Sequence, residues 1–93
     1  MIKSFRDAET ERVFERQFSR RLPHDIQAAA LRKLRMIANA HDVADLRSPP
    51  GNRLERLSGD RAGQYSIRIN DQWHICFVWK GDDAHEAEIC DYH

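Results

Sequence analysis

Gln64-Tyr65-Ser66-Ile67-Arg68-Ile69-Asn70-Asp71-Gln72-Trp73-His74-Ile75-Cys76-Phe77-Val78-Trp79 holds two alternating runs joined at Asn70-Asp71. Tyr65, Ile67 and Ile69 fall on one side of an extended chain, and Ser66, Arg68 and Asn70 on the other. From Trp73 the alternation resumes, with Trp73, Ile75, Phe77 and Trp79 against His74, Cys76 and Val78. A period of two marks half-buried strands. Asn70-Asp71 suits a two-residue hairpin turn, because both residue types tolerate positive φ. With such a turn Ile69 pairs with Gln72, Arg68 lies opposite Trp73, and Arg68 is diagonal to His74. The two polar side chains then project near each other on the side away from the apolar rows.

Outward from this hairpin the chain divides by period. Lys80-Gly81-Asp82-Asp83 turns it again, and Ala87 and Ile89 lead a last strand into Asp91-Tyr92-His93. Upstream, Arg53 to Leu57 reads as a strand and Ser58 to Gly63 as a loop, while Ser48-Pro49-Pro50-Gly51 breaks regular structure. Before that break the spacing is helical. Ile26, Ala30, Leu34 and Ile37 predict an amphipathic helix over 24–40, with Pro23 and Asp25 at its start. Asp42 to Leu46 adds a short turn. Asp7 caps a helix over 8–18 with Glu9 and Glu11 in its first turn, and Thr10, Val13, Phe14 and Phe18 share its face. Ile2 to Phe5 alternates and reads as a first strand. The order β-α-α-β-β-β-β predicts a small α+β domain over 1–93: an antiparallel-rich sheet with two N-terminal helices packed on one face.

Ninety-three residues suffice for one modest core, and a hydrophobic fraction of 41% with 32% charged residues excludes both a disordered chain and a membrane protein. The longest apolar run, Ile75 to Trp79, is too short to cross a bilayer, and no signal-peptide pattern follows Met1. A cytoplasmic location is expected. Cys76 and Cys90 carry no CxxC spacing and read as reduced, buried thiols rather than a disulfide or metal site. The net charge is zero but unevenly spread: residues 1–68 carry 14 Lys/Arg against 9 Asp/Glu, and residues 69–93 carry 1 against 6. All twelve arginines lie in the first part, and their planar forks suit phosphate or carboxylate. An arginine-favouring codon usage explains the same bias, so charge neither demands nor excludes a nucleic-acid partner.

No GxGxxG, Walker loop, HExxH or GxSxG is present. The histidines at 24, 41, 74, 85 and 93 make no metal box with the cysteines, so neither metal nor cofactor is expected. What remains is Arg68 and His74 on the polar side of the hairpin, and Asp91, Tyr92 and His93 at the end of the chain. Cations beside a general base are what metal-free RNA cleavage requires. The base activates the ribose 2′-OH, cations stabilise the phosphorane, and an acid protonates the leaving 5′-oxygen. Each residue has a plainer reading: a terminal histidine that frays, an arginine that is merely solvated, a histidine that packs beside an indole.

The whole chain resembles the RelE-like superfamily of toxins from bacterial toxin–antitoxin pairs, in its HigB (plasmid-maintenance killer) branch. The likeness rests on Met1-Ile2-Lys3-Ser4-Phe5, on Leu46-Arg47-Ser48-Pro49-Pro50-Gly51-Asn52-Arg53-Leu54-Glu55, on the segment from Leu57 to Trp73, and on Asp91-Tyr92-His93. The resemblance implies a ribosome-dependent, metal-independent endoribonuclease that cuts translated mRNA in the A site. It also implies a helix-turn-helix, HigA-like antitoxin through which alone operator DNA is met. Asp91, Tyr92 and His93 fall on the family's active-site positions, and Arg68 on a basic position of its strand. Three positions depart from the family pattern. Glu55 stands where some members have histidine, Ser58 where some have lysine, and His74 where many have arginine. The resemblance therefore implies a catalytic set of Asp91, Tyr92, His93, Arg68, His74 and Glu55. Arg56, Arg61 and Ser58 would face RNA, and the nuclease would be weaker than the strong members. The rival is a binding module that titrates its antitoxin without cutting; a third reading is a ribosome-binding regulator.

Overall fold

The alternating rows pair into an antiparallel meander. In the computed structural model, which describes residues 1–91, the strands are β1 (Glu55–Arg56), β2 (Gln64–Arg68), β3 (Trp73–Lys80) and β4 (Asp83–Asp91), in that order across the sheet. Tyr65 pairs with Phe77, Ile67 with Ile75, and Ile75 with Ile89, which gathers the large apolar side chains on one face. The turn between β2 and β3 is wider than the two-residue loop expected, and Arg68 pairs directly with His74 rather than with Trp73. Residues directly opposed across a ladder share a face, so Arg68 opposite Trp73 would have set a cation into the core row. Asn70 closes the turn instead: its side-chain oxygen accepts from the backbone N–H groups of Gln72 (2.8 Å) and Trp73 (2.7 Å).

Two α-helices precede the sheet. In α1 (Ala8–Phe14) the Asp7 carboxylate caps the first turn by accepting from the Thr10 N–H at 2.7 Å. The helix ends at Phe14 rather than running to 18, because Arg16 takes a left-handed φ of 64°. The chain beyond it is pinned by Ser19 and Gln27. Ser19, wholly buried, donates its hydroxyl to Glu9 at 2.6 Å, and the Gln27 amide both accepts from the Ser19 N–H (3.0 Å) and donates to the Ser19 carbonyl (2.7 Å). Phe18, expected on the apolar face of the first helix, is consequently 56% exposed. The second helical stretch follows expectation closely: a 3-10 turn, His24–Ile26, leads into α2 (Gln27–Asn39). The expected turn after it is Val43–Arg47, capped reciprocally by Asp42 and Asp45.

Val13 of α1 and Ala30, Leu34 and Ile37 of α2 share one core cluster with Ile67, Ile75, Phe77 and Ile89 of the sheet. Thr10 joins helix to strand by accepting from the Ile89 N–H at 2.9 Å. Residues 2–5, expected as a strand, instead make isolated parallel bridges from Ile2 to Ala84 and from Phe5 to Ala87. The reason lies in β4: the β3–β4 register shifts between Cys76 and Val78, Glu86 is left-handed (φ 53°), and its N–H donates to Ser4 Oγ at 2.9 Å, so no continuous ladder forms. Arg53 is also left-handed (φ 45°), which confines β1 to two residues of the five expected. Among the described residues no helix is long and apolar enough to cross a membrane.

Burial separates the two phenylalanines that sequence alone would rank together. Phe77→Ala opens a cavity at a wholly buried site and is expected to cost about 3–5 kcal/mol in urea unfolding. Phe18→Ala should stay within about 0.5 kcal/mol of wild type.

Candidate active site

On the sheet face away from the core, strand parity sets Glu55 beside Ser66, Ser66 beside Cys76, and Cys76 beside Glu88. One step along, Arg68 stands beside His74, and His74 beside Cys90. At the Arg68 end of this face Arg53, Glu55, Arg68, Asp71 and His74 line a cleft of about 320 Å³. Arg53 reaches it because its neighbour is anchored. Asn52, wholly buried, donates its amide to the carbonyls of Leu46 (3.1 Å) and Ser48 (3.3 Å) and accepts from Lys33 Nζ of α2. Burial there pushes the Lys33 ammonium below its usual pKa, and Arg32 beside it acts the same way. The left-handed turn at Arg53 then brings that side chain to the cleft.

Within the cleft Arg68 pairs with Asp71, whose carboxylate is 95% exposed. An ion pair so open to water is worth roughly 0–1 kcal/mol and gives way readily to a better anion. His74 is half-buried, with Nδ1 turned out of solvent. Among the described residues two guanidinium groups face two carboxylates, so the formal charge of that lining cancels with His74 neutral. Paired arginine forks grip the free oxygens of a phosphate, and an imidazole or carboxylate beside them can take or give a proton.

The structure gathers Glu55, Arg68 and His74, and adds Arg53 and Asp71, which the sequence reading missed. The signal for Asp71 was its place in the hairpin turn, three residues after Arg68. Arg53 gave none, since an arginine at a strand start looks solvated until the left-handed turn is known. Other expected residues lie elsewhere. Arg56 pairs with Tyr65 and so has the opposite parity to Glu55. Arg61 donates to Glu88 and Gln64, each at 3.1 Å, away from the cleft. Ser58 opens the 3-10 turn Gly59–Arg61 and does not line the cleft. Asp91 pairs with Trp73, which sets it on the opposite face from Arg68, where its Oδ2 accepts from Gln72 Nε2 at 2.8 Å. The parity that aligned Arg68 with His74 thus separates Asp91 from Arg68. Tyr92 and His93 lie outside the described residues. Among the described residues no group of three or more His, Cys, Asp or Glu side chains could hold a metal ion.

Comparison with known proteins agrees with this architecture. A family profile described as the RelE-like toxin of the type II toxin–antitoxin system HigB matches residues 3–93. Toxin HigB-1 of Vibrio cholerae is 41% identical over 80 residues, covering 85% of this chain and 84% of that protein. Endoribonuclease HigB of Proteus vulgaris is 30% identical over 93 residues, the full length of both. Among solved structures, a chain of the YoeB–YefM complex from Staphylococcus aureus aligns with a TM-score of 0.58 over 100% of this chain and 98% of its own, at 13% identity, a likeness of fold alone.

Parity and charge make a measurable prediction for the cleft. Arg53→Gln and Arg68→Gln should each weaken binding of a single-stranded oligonucleotide and lower the slope of log K against log salt by about 0.7 per lost phosphate contact. Arg56→Gln, on the other side of the sheet, should leave that slope unchanged in the same titration.

Proposed function

The chain belongs to the HigB-like family, the RelE-like toxins of type II toxin–antitoxin systems, and on that premise we propose that it is a metal-independent endoribonuclease that cuts mRNA on the ribosome. The observation that carries this reading is the direct pairing of Arg68 with His74 in a cleft completed by Arg53 and Glu55. In the proposed reaction Arg53 and Arg68 grip the scissile phosphate, with Asp71 yielding Arg68 to it. His74 or Glu55 takes the 2′-OH proton as the oxygen attacks phosphorus, and His93 protonates the departing 5′-oxygen. Tyr92 orients the neighbouring base. Asp91, on the other side of the sheet, serves the end of β4 by holding Gln72 rather than by moving a proton. Cutting translated mRNA places the protein in the cytoplasm.

The cancelled charge of the cleft favours a second reading. A lining of two cations and two carboxylates stabilises a phosphorane less than a net-positive one does. It is what a toxin that chiefly titrates its antitoxin would show. In both readings the partner is a HigA-like helix-turn-helix antitoxin, and operator DNA is met only through it. Its docking surface is proposed at α1 and α2, where exposed Phe18 borders a groove lined also by Val13, Leu31, Arg16 and Arg35. Arg12, Arg20 and Arg21 lie on the far side of the same ring. Apolar anchors inside an arginine rim fit an acidic segment that carries a large apolar side chain.

Mapping mRNA 5′ ends after expression without antitoxin tests the reaction. Wild type is expected to give in-frame cuts that survive EDTA as long as ribosomes stay intact. His74→Ala and His93→Ala should each reduce them about 10²-fold or more. Uncut transcripts with wild type would leave the titrating module. For the partner, Phe18→Ala together with Arg16→Glu should weaken antitoxin binding at least ~10-fold by calorimetry while cleavage persists.

A further inference from the structure

On the polar face of the sheet, one step along β3 from His74, two thiols converge. Cys76 on β3 and Cys90 on β4 are diagonal neighbours, since Cys76 pairs with Glu88 and Cys90 with His74. Their sulfurs stand 2.9 Å apart, both residues are buried, and both are free thiols. We propose that Cys76 and Cys90 form a dithiol site for oxidation by hydroperoxides, closing to an intramolecular disulfide that fastens the end of β4 to β3 beside the cleft.

The geometry is more specific than two small side chains filling a core. A disulfide needs sulfurs about 2.0 Å apart and side chains that aim at each other. Here they already do, inside the ordinary contact distance of two sulfur atoms, so closure asks for less than 1 Å of further approach. Neither thiol belongs to the apolar core cluster that holds the sheet to the helices. A cation also stands beside the pair. Arg61 acts on both sulfurs and is held at 3.1 Å from Glu88. The Cys76 thiol is pushed below its usual pKa chiefly by a hydrogen bond from Cys90, with burial opposing and Arg61 assisting. The Cys90 thiol is pushed up, first by that same bond and then by burial. Arg61 is held by Glu88, the cross-strand partner of Cys76, and that placement of a cation makes Cys76 the nucleophile and Cys90 the resolving thiol. The Arg61 and Glu88 side chains, 30% and 20% exposed, meet beside the buried thiols, and in this proposal a small oxidant reaches the sulfurs when that pair opens.

The steps balance. The Cys76 thiolate attacks the terminal oxygen of the hydroperoxide, the O–O bond breaks, and the alkoxide leaves as the alcohol with the thiol's proton. Cys76 is now a sulfenic acid, oxidised by two electrons. The Cys90 sulfur attacks it, the S–S bond forms, and hydroxide leaves with the Cys90 proton as water. Two thiols and one hydroperoxide give one disulfide, one alcohol and one water, with the peroxide reduced.

The site stands apart from the proposed RNA chemistry. It is tested on the full chain without RNA, using stoichiometric hydrogen peroxide as the probe. The expected result is loss of both thiols per chain, an intact monomer mass lower by the two thiol hydrogens, and full recovery with dithiothreitol. Cys90→Ser should instead stop at a sulfenic acid that dimedone traps. Persistence of both thiols, a disulfide-linked dimer, or oxygen adducts in the wild type equal to those in Cys90→Ser would overturn the proposal. Since thiol count and mass are read without a nucleic acid, failure here leaves the nuclease reading standing, and a chain that does not cut RNA leaves this one standing.

Discussion

Ile67 faces Ile75 across β2 and β3, both wholly buried, and every polar group of the cleft depends on that pairing. Strand parity has a period of two, so a slip of one residue would turn Ile67 and Tyr65 to solvent and drive Arg68 and Ser66 into the core. The cost of burying an unpaired guanidinium makes that slip prohibitive. Tyr65 and Phe77 strengthen the lock, their rings stacked with centroids 6.2 Å apart. The hairpin turn adapts to the register rather than setting it, and Asn70 supplies the oxygen that closes the wider loop. The opposition of Arg68 and His74 is thus a consequence of hydrophobic burial on the other side of the sheet.

The N-terminal segment and α1 answer a different problem. β4 is an edge strand, and an uncovered edge offers unpaired backbone groups to any neighbour. Lys3 and Arg6 donate to Ala84 and Ala87, Ala84 and Ala87 donate back to Met1 and Ser4, and Thr10 takes the N–H of Ile89. The bulge at Glu86 breaks the continuity of this cover into two short contacts. β4 is thereby held along its length on the core side while its other face carries Glu88 and Cys90. The cleft, the thiol pair and the chain end that bears Asp91 all rest on the β3–β4 ladder.

Much of the candidate site was legible in the residues. The alternation around Ile67 and Ile75 announced the hairpin, and Arg68 and His74 stood out as polar groups on its other side. Arg53 was not legible, because its position depends on Asn52, whose buried amide reaches three partners from two separate segments. Phe18 misled for a related reason. Its spacing from Phe14 fits a helix, yet Arg16 leaves helical geometry and Ser19 is drawn inward by Glu9 and Gln27. Asp91 sits in a motif that reads as one unit, but consecutive strand residues point to opposite faces.

Period and composition alone sufficed for the α+β class, the bounds of the long helical stretch, the four-strand meander of the second half and the choice of apolar side chains. Both are local properties of the chain. Which polar residues meet, where the first helix stops, and that two cysteines fourteen positions apart bring their sulfurs together emerged only from the folded chain. Those depend on register, on left-handed residues and on buried hydrogen bonds between distant segments. Their energies are settled by what the rest of the fold leaves room for, and no stretch of sequence read alone contains that.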